Sequence, residues 1–122
     1  EMEIGMGIHG EPGTERKKIE PAGAIVDELL GRVLGDTVDF SGSEAAVMVN
    51  GLGGTPLMEL YIAYARVAEV LEREGVRVFR AYVGNYMTSL EMAGFSVTLL
   101  KLDEEMKRYL QAPCRVPASR PF

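Results

Sequence analysis

Two hydrophobic periods alternate along the chain, and glycine or proline stands at most of the changes between them. Alternating or continuous apolar runs of a few residues are typical of strands, whereas apolar residues at i, i+3, i+4 and i+7 are typical of helices. The predicted strands are residues 1–8, 45–50, 76–83 and 95–102, and the predicted helices are residues 21–34, 56–74 and 104–110. The elements therefore follow in the order β-α-β-α-β-β-α.

This order predicts an α/β fold with a mixed, largely parallel sheet flanked by helices. Strands separated by helices usually run parallel in one sheet. The last two predicted strands have a short connection, which allows one antiparallel pair, and we expect at least four strands in the sheet. A length of 122 residues suits one domain, so we predict a single domain over residues 1–122, with an extended tail at residues 111–122 that holds three prolines.

The predicted helix ends rest on specific residues. Pro21 and Pro56 suit the first helical position, and Thr55 and Asp103 suit the N-cap. Glycine is common just after the last turn of a helix. Gly35 and Gly75 are therefore expected to end the first two helices.

Charge and cysteine content exclude several classes of function. Eighteen acidic and thirteen basic residues give a net charge of −5, which argues against nucleic-acid binding because that needs a basic face. Cys114 is the single cysteine, so an internal disulfide or a thiolate zinc site is impossible, and a reducing cytoplasm is the expected location. No apolar run is long enough for a membrane span, so no membrane association is expected.

The chain starts directly in a predicted strand, with Met2, Ile4, Met6 and Ile8 on one face. A strand at residue 1 has no preceding connection, and the chain does not begin with a methionine. We therefore expect a piece of a longer protein, and the alternative is an ordinary start from which the methionine has been removed.

The only histidine of the chain, His9, lies between glycines where this strand changes to a turn at residues 7–13. Ligands of open α/β sheets bind at the carboxyl ends of strands. An accessible imidazole can act as a general acid or base, as a nucleophile or as a metal ligand. No second histidine or cysteine stands at ligand spacing, so no metal site is predicted. The alternative is a surface histidine beside a turn.

A second glycine-rich segment, residues 49–56, joins a strand to a helix. Free amides at a helix N-terminus bind anions, but the segment lacks both the P-loop and the dinucleotide-binding pattern. A tight structural turn is the alternative. The third segment, residues 83–94, is a loop with aromatic and methionine side chains that either lines a pocket, forms an interface or is structural.

Three stretches of the chain together resemble the dihydroxyacetone (glycerone) kinase family. They read Gly-Ile-His-Gly-Glu-Pro-Gly at residues 7–13, Val-Asn-Gly-Leu-Gly-Gly-Thr at residues 49–55, and Thr-Ser-Leu-Glu-Met-Ala-Gly-Phe-Ser-Val-Thr-Leu-Leu-Lys-Leu-Asp at residues 88–103. The chain is similar, over almost its whole length, to the C-terminal domain of the substrate-binding subunit.

The resemblance implies roles for particular residues. In that family the histidine of the first motif forms a covalent hemiaminal with dihydroxyacetone, which assigns catalytic anchoring to His9 and substrate binding to His9, Gly7 and Gly10. Gly51, Gly53 and Gly54 are expected to support a loop beside the site.

The resemblance also implies partners. The phosphoryl donor, ATP or a phosphotransferase relay, is bound by a separate nucleotide-binding or relay subunit or domain, so no cofactor is expected on this domain. The substrate-binding subunit has an N-terminal domain that nothing here matches, so we expect the isolated chain to be inactive as a kinase. A homo-oligomer is expected as well. The alternatives are a non-catalytic dihydroxyacetone-binding or regulatory domain and a phosphate-binding module.

Overall fold

The computed structural model describes residues 1–117, which form five strands and three helices. In chain order these are β1 (Met2–Ile4), β2 (Glu15–Lys17), α1 (Ala22–Leu34), β3 (Glu44–Gly51), α2 (Leu57–Arg73), β4 (Arg77–Gly84), β5 (Phe95–Leu102) and α3 (Glu104–Gln111). The fold is mixed α/β with helices flanking a mixed sheet, so the predicted fold class is confirmed. The end of the predicted tail, residues 118–122, lies outside the described residues.

The main sheet has three strands in the order β4-β3-β5. β3 pairs with β4 in parallel and with β5 antiparallel. The expectation of four or more strands in this sheet was wrong for residues 1–117. The expected antiparallel pair between the last two strands was wrong as well. β5 pairs antiparallel with the central β3, because the connection after β4 carries β5 across to the far side of β3.

The first strand is the element whose observed bounds differ most from the prediction. β1 ends at Ile4, and it pairs with β2 in a separate two-stranded hairpin. Gly5, with φ of 75°, turns the backbone out of the strand conformation, and Met6 and Ile8 are exposed although Ile4 is buried. β2 was missed because its sequence, Glu-Arg-Lys, carries no apolar residue.

The hydrophobic core lies between one face of the main sheet and helices α1 and α2. Ala45, Val47 and Val49 of β3 are fully buried there, against Leu30 of α1 and Val67 of α2 among others. Alternate residues of a strand point to one face, and this face is apolar throughout β3. The core fixes the position of α1, which carries the hairpin.

The helix ends agree with the prediction to within about a residue. Gly35 is the C-cap residue of α1, and Gly75 comes directly after the C-cap residue of α2. The Asp103 carboxylate caps α3 by accepting a hydrogen bond from the Met106 amide at 2.7 Å. Pro21 and Pro56 each stand at the cap position instead of the first helical position. No helix among residues 1–117 is long and apolar enough to cross a membrane.

Candidate functional site

His9 lies at the tip of the β1–β2 hairpin, in a tight turn. The Gly10 amide donates to the Gly7 carbonyl at 3.0 Å, and the Gly7 amide donates to the Glu11 carbonyl at 3.1 Å. Gly10 has φ of 83°, which is the left-handed conformation that closes a three-residue hairpin loop. Residues 8–10 are therefore the loop itself, and Gly7 and Gly10 determine its shape.

The His9 side chain is 81% exposed, so its imidazole can be approached freely by a small molecule. The sequence predicted that this histidine stands directly at a strand end of the sheet. That was wrong, because β1 ends at Ile4 and does not belong to the main sheet. In the described part of the chain, Glu11 is the one acidic residue within ion-pair distance of the imidazole.

The Glu11 carboxylate folds back beneath the histidine. Its Oε2 accepts a hydrogen bond from the His9 amide at 3.1 Å, and its Oε1 lies 3.5 Å from Nδ1 of the imidazole. A Cβ on Gly7 would stand 2.0 Å from Oε2, so this carboxylate position requires glycine at residue 7. Glu11 was not predicted as a site residue, although a carboxylate two residues from the only histidine was a signal for it.

The hairpin below the tip is held together by Glu3 of β1. Its carboxylate accepts hydrogen bonds from the Gly13 amide at 2.6 Å and from the Arg16 guanidinium at 3.0 Å. The Gly13 amide is the main reason that the pKa of Glu3 lies below its usual range, and Arg16 adds to the effect. The Thr14 amide donates to the Ile4 carbonyl and extends the pairing towards the tip.

Ion pairs join the hairpin to α1 and so position its tip relative to the core. Glu28 of α1 contacts Lys17 of β2 at 2.5 Å and Arg32 at 2.6 Å, and Arg32 also contacts Glu15 of β2 at 3.0 Å. The hydrogen bond from Lys17 is the largest cause that lowers the pKa of Glu28. The Arg32 guanidinium also donates to the Thr14 hydroxyl at 2.5 Å.

The second glycine segment packs tightly against the loop of residues 85–94. A Cβ added at Gly51 would lie 2.3 Å from the Asn85 side chain. A Cβ at Gly53 would lie 2.4 Å from the Ser89 carbonyl, and one at Gly54 would lie 2.6 Å from the Glu91 carbonyl. Gly53 and Gly54 thus allow the close approach of two backbones, and Gly51 leaves room for the Asn85 side chain.

Two amides of this segment are already used by the same loop. Leu52 donates to the Gly94 carbonyl at 3.1 Å, and Gly54 donates to the Met92 carbonyl at 2.9 Å. The Thr55 hydroxyl accepts from the Gly94 amide at 2.9 Å and donates to the Gly94 carbonyl at 3.0 Å. Thr55 was predicted to cap α2, but its hydroxyl is used here and α2 has no side-chain cap. An anion would have to compete with these protein contacts.

Asn50, at the end of β3, anchors the 85–94 loop. Its side-chain oxygen accepts from the amides of Tyr86 at 2.8 Å and Met87 at 2.9 Å, and its side-chain nitrogen donates to the Met87 carbonyl at 2.7 Å and to Ser96 at 3.4 Å. Asn50 is only 3% exposed. Asn50 was not predicted as a functional residue, because an asparagine after an apolar run is also common in turns.

Tyr86 follows on this loop and meets Tyr82 edge to face, with ring centroids 6.0 Å apart. Burial raises the pKa of Tyr86, and the phenols of Tyr61 and Tyr82 add to the shift. Met87 and Leu90 are exposed. The structure therefore gives the loop a packed base and an exposed tip.

Within residues 1–117, no hydrogen bond or ion pair connects the His9 turn with the Gly51–Gly54 segment. The two candidate segments are thus separate features of this chain. The described residues also contain no cluster of three or more His, Cys, Asp or Glu side chains that could hold a metal ion.

Comparison with known proteins gives consistent matches over most of the chain. The Dak1 domain matches residues 1–118. The dihydroxyacetone-binding subunit DhaK of the PTS-dependent dihydroxyacetone kinase 2 of Listeria innocua is 50% identical over 117 residues, which is 96% of this chain and 35% of that protein. The chain therefore spans about a third of the length of this curated relative.

Two solved structures are similar in fold. The dihydroxyacetone kinase operon co-activator Dha-DhaQ matches with a TM-score of 0.81 and 38% identity, covering 89% of this chain and 34% of the other. The dihydroxyacetone kinase of C. freundii in complex with AMP-PNP and Mg²⁺ matches with a TM-score of 0.68 and 30% identity, covering 88% of this chain and 20% of the other.

Proposed function

This chain belongs to the Dak1 domain family, and we propose on that basis that it is the part of a dihydroxyacetone kinase that anchors the substrate through His9. The observation that carries the proposal is the exposed imidazole on a tight turn, in a chain that is 50% identical to a dihydroxyacetone-binding subunit. Gly7 and Gly10 form the turn that presents the imidazole. The proposed location is the cytoplasm, as expected from the single cysteine.

The proposed anchoring step is the addition of His9 to the ketone of dihydroxyacetone. The lone pair of Nε2 forms a bond to the carbonyl carbon, and the π electrons of the C=O bond move to the oxygen. The oxygen takes a proton from water, and the ring gives up its Nδ1 proton to water, which leaves a neutral hemiaminal. Such a covalent anchor fixes the orientation of the substrate for a later step.

The carbonyl requirement also provides specificity. Glycerol has similar hydroxyl groups but no carbonyl carbon that Nε2 could attack, so it is held only by weaker contacts. In the anchored ketone a terminal hydroxyl stays free to accept a phosphoryl group, which would give dihydroxyacetone phosphate. The donor, ATP or a phosphotransferase relay, belongs in this proposal to a separate subunit or domain.

The site on this chain alone is open to solvent. Phosphoryl transfer needs a base, a positioned donor and exclusion of water, and no described residue other than Glu11 stands within ion-pair distance of the imidazole. We therefore expect the N-terminal domain of a longer subunit to complete the site, with a second copy of the subunit as a further partner. The pure chain should not phosphorylate dihydroxyacetone when a donor subunit is added.

The anchoring step can be observed with dihydroxyacetone labelled with ¹³C at its carbonyl carbon. Addition converts this carbon from a ketone to a tetrahedral centre, so a new resonance should appear with the native chain and vanish in His9→Ala. The measurement is repeated with the chain joined to the N-terminal residues of the Listeria innocua relative, because a complete site binds the ketone more tightly. Absence of the new resonance in both forms would refute the proposal.

A regulatory function is the second candidate, and the similarity to the Dha-DhaQ co-activator favours it. A regulator would form the adduct without turning it over. If the joined protein forms the adduct but transfers no phosphoryl group in the presence of a kinase donor subunit, the regulatory candidate is correct. A phosphate-binding module has less support, because the Leu52 and Gly54 amides already donate to the neighbouring loop.

A further inference from the structure

The geometry of the hairpin tip points to Glu11 as the positioning residue of His9: its carboxylate holds the imidazole proton on Nδ1 and so leaves Nε2 free to attack a carbonyl carbon. This inference rests on the proposed function of His9. It concerns a residue that acts through the histidine and does not itself touch the substrate.

The physical basis is the tautomer of a neutral imidazole. One ring nitrogen carries the proton and the other offers a lone pair, and the hydrogen bond made by one of them determines which is which. Glu11 Oε1 lies 3.5 Å from Nδ1, which is an ion-pair distance, so Nδ1 is a ring nitrogen that meets the carboxylate. A carboxylate accepts only, so it favours the proton on Nδ1.

The turn itself fixes the carboxylate in this position. Glu11 Oε2 is held by the His9 amide at 3.1 Å, so the same side chain contacts both the backbone and the ring of the histidine. Gly7 leaves the room that this requires, since a Cβ there would stand 2.0 Å from Oε2. The imidazole and its orienting group are thus parts of one turn.

The carboxylate also suits the adduct. After Nε2 has bonded to the carbonyl carbon and the oxygen has taken a proton from water, the ring is positively charged until the Nδ1 proton leaves. Glu11 then faces a cation at short distance, which stabilises this state. The carboxylate contacts Nδ1 and the proposed bond forms at Nε2, so the two partners use different nitrogens of the ring.

The test uses nitrogen NMR of a ¹⁵N-labelled chain, in which His9 is the only histidine and gives a single pair of ring resonances. We expect the Nδ1–H tautomer to dominate in the native chain and the balance to shift towards Nε2–H by roughly three- to tenfold in Glu11→Ala. Glu11→Gln, which retains an acceptor for the His9 amide but loses the charge, should give a smaller shift. Gly7→Ala should act like Glu11→Ala because it displaces the carboxylate.

Glu1→Gln removes one negative charge close to the hairpin and serves as the control, with an unchanged tautomer balance. The amide resonances of Gly7 and Gly10 report whether the turn persists, and only variants with an intact turn are compared. The adduct with ¹³C-labelled dihydroxyacetone is measured on the same samples. We expect the adduct to form roughly three- to tenfold more slowly in Glu11→Ala, because the positively charged ring that forms first then has no carboxylate beside it.

Two results separate this inference from the function on which it rests. Equal tautomer balance in the native chain and in Glu11→Ala, with the turn intact, overturns the role of Glu11, whether or not an adduct forms. A tautomer balance that depends on Glu11, with no adduct in the native chain or in the longer joined protein, supports the positioning of the ring and refutes the proposed function of His9.

Discussion

Replacement of Asn50 by alanine is expected to destabilise the domain, because Asn50 anchors the 85–94 loop. The substitution removes the acceptor for the Tyr86 and Met87 amides and the donor to the Met87 carbonyl, three hydrogen bonds of 2.7 to 2.9 Å. At about 1 kcal/mol net for each bond, the expected loss of unfolding free energy is about 3 kcal/mol. The longer contact with Ser96 adds little.

Two features of the structure act on the expected loss of unfolding free energy in opposite directions. Asn50 is 3% exposed, so the amides that lose their partner are freed beside a buried side chain, and unsatisfied groups cost more than lost bonds. The loop itself is largely exposed, so water can reach part of the freed backbone and reduce the cost. A loss of about 3 kcal/mol is a large fraction of the 5–15 kcal/mol that is usual for a domain.

Asn85→Ala is the matched control. Asn85 is exposed, lies on the same loop and makes no side-chain hydrogen bond in the described part of the chain. Urea unfolding gives the free-energy difference between each variant and the native chain, and hydrogen exchange of the Tyr86 and Met87 amides shows whether the loss is local. If Asn50→Ala and Asn85→Ala agree within about 0.5 kcal/mol, Asn50 does not anchor the loop and the reasoning is wrong.

Three further changes test the core, the hairpin contact and the last helix. Leu30→Ala should lower the unfolding free energy by about 2–5 kcal/mol in urea unfolding, whereas Met58→Ala, at a 72% exposed position, should change it little. The fold lowers the pKa of Glu28, so its ion pairs stabilise the folded chain fully above its usual pKa of 4.5, and this stabilisation is lost as pH falls through the folded pKa. Glu28→Gln should therefore flatten the acid side of a plot of unfolding free energy against pH. An unchanged slope would contradict this. Asp103→Ala removes the cap of α3 and should cost about 0.5–2 kcal/mol, seen as faster hydrogen exchange in α3 but not in α2.

The sequence predicted the elements around the core well, because their apolar periods reflect burial. β5 was predicted with its observed bounds, and β3 and β4 were predicted to within about a residue at each end. The Asp103 cap was also predicted correctly, since it depends on contacts within one turn. The family resemblance is confirmed by the Dak1 match.

The errors fall where an element is held by charged or backbone contacts. β2 is stabilised by pairing with β1 and by the contact of Lys17 with Glu28 of α1, none of which produces a hydrophobic period. In the same way Thr55 has the sequence of an N-cap, but its hydroxyl meets Gly94, a residue 39 positions away. Local patterns cannot report such partners, because the contact exists only after the chain has folded.

The same limitation applies to the candidate site. Periodicity located His9 beside a turn, but it could not show that the turn is the tip of a hairpin, since that depends on the unrecognised β2. The hairpin geometry is what brings the Glu11 carboxylate beneath the ring and makes Gly7 necessary for it. The contacts that hold the histidine therefore depend on the hairpin, which is attached to α1 by the ion pairs of Glu28 with Lys17 and of Arg32 with Glu15.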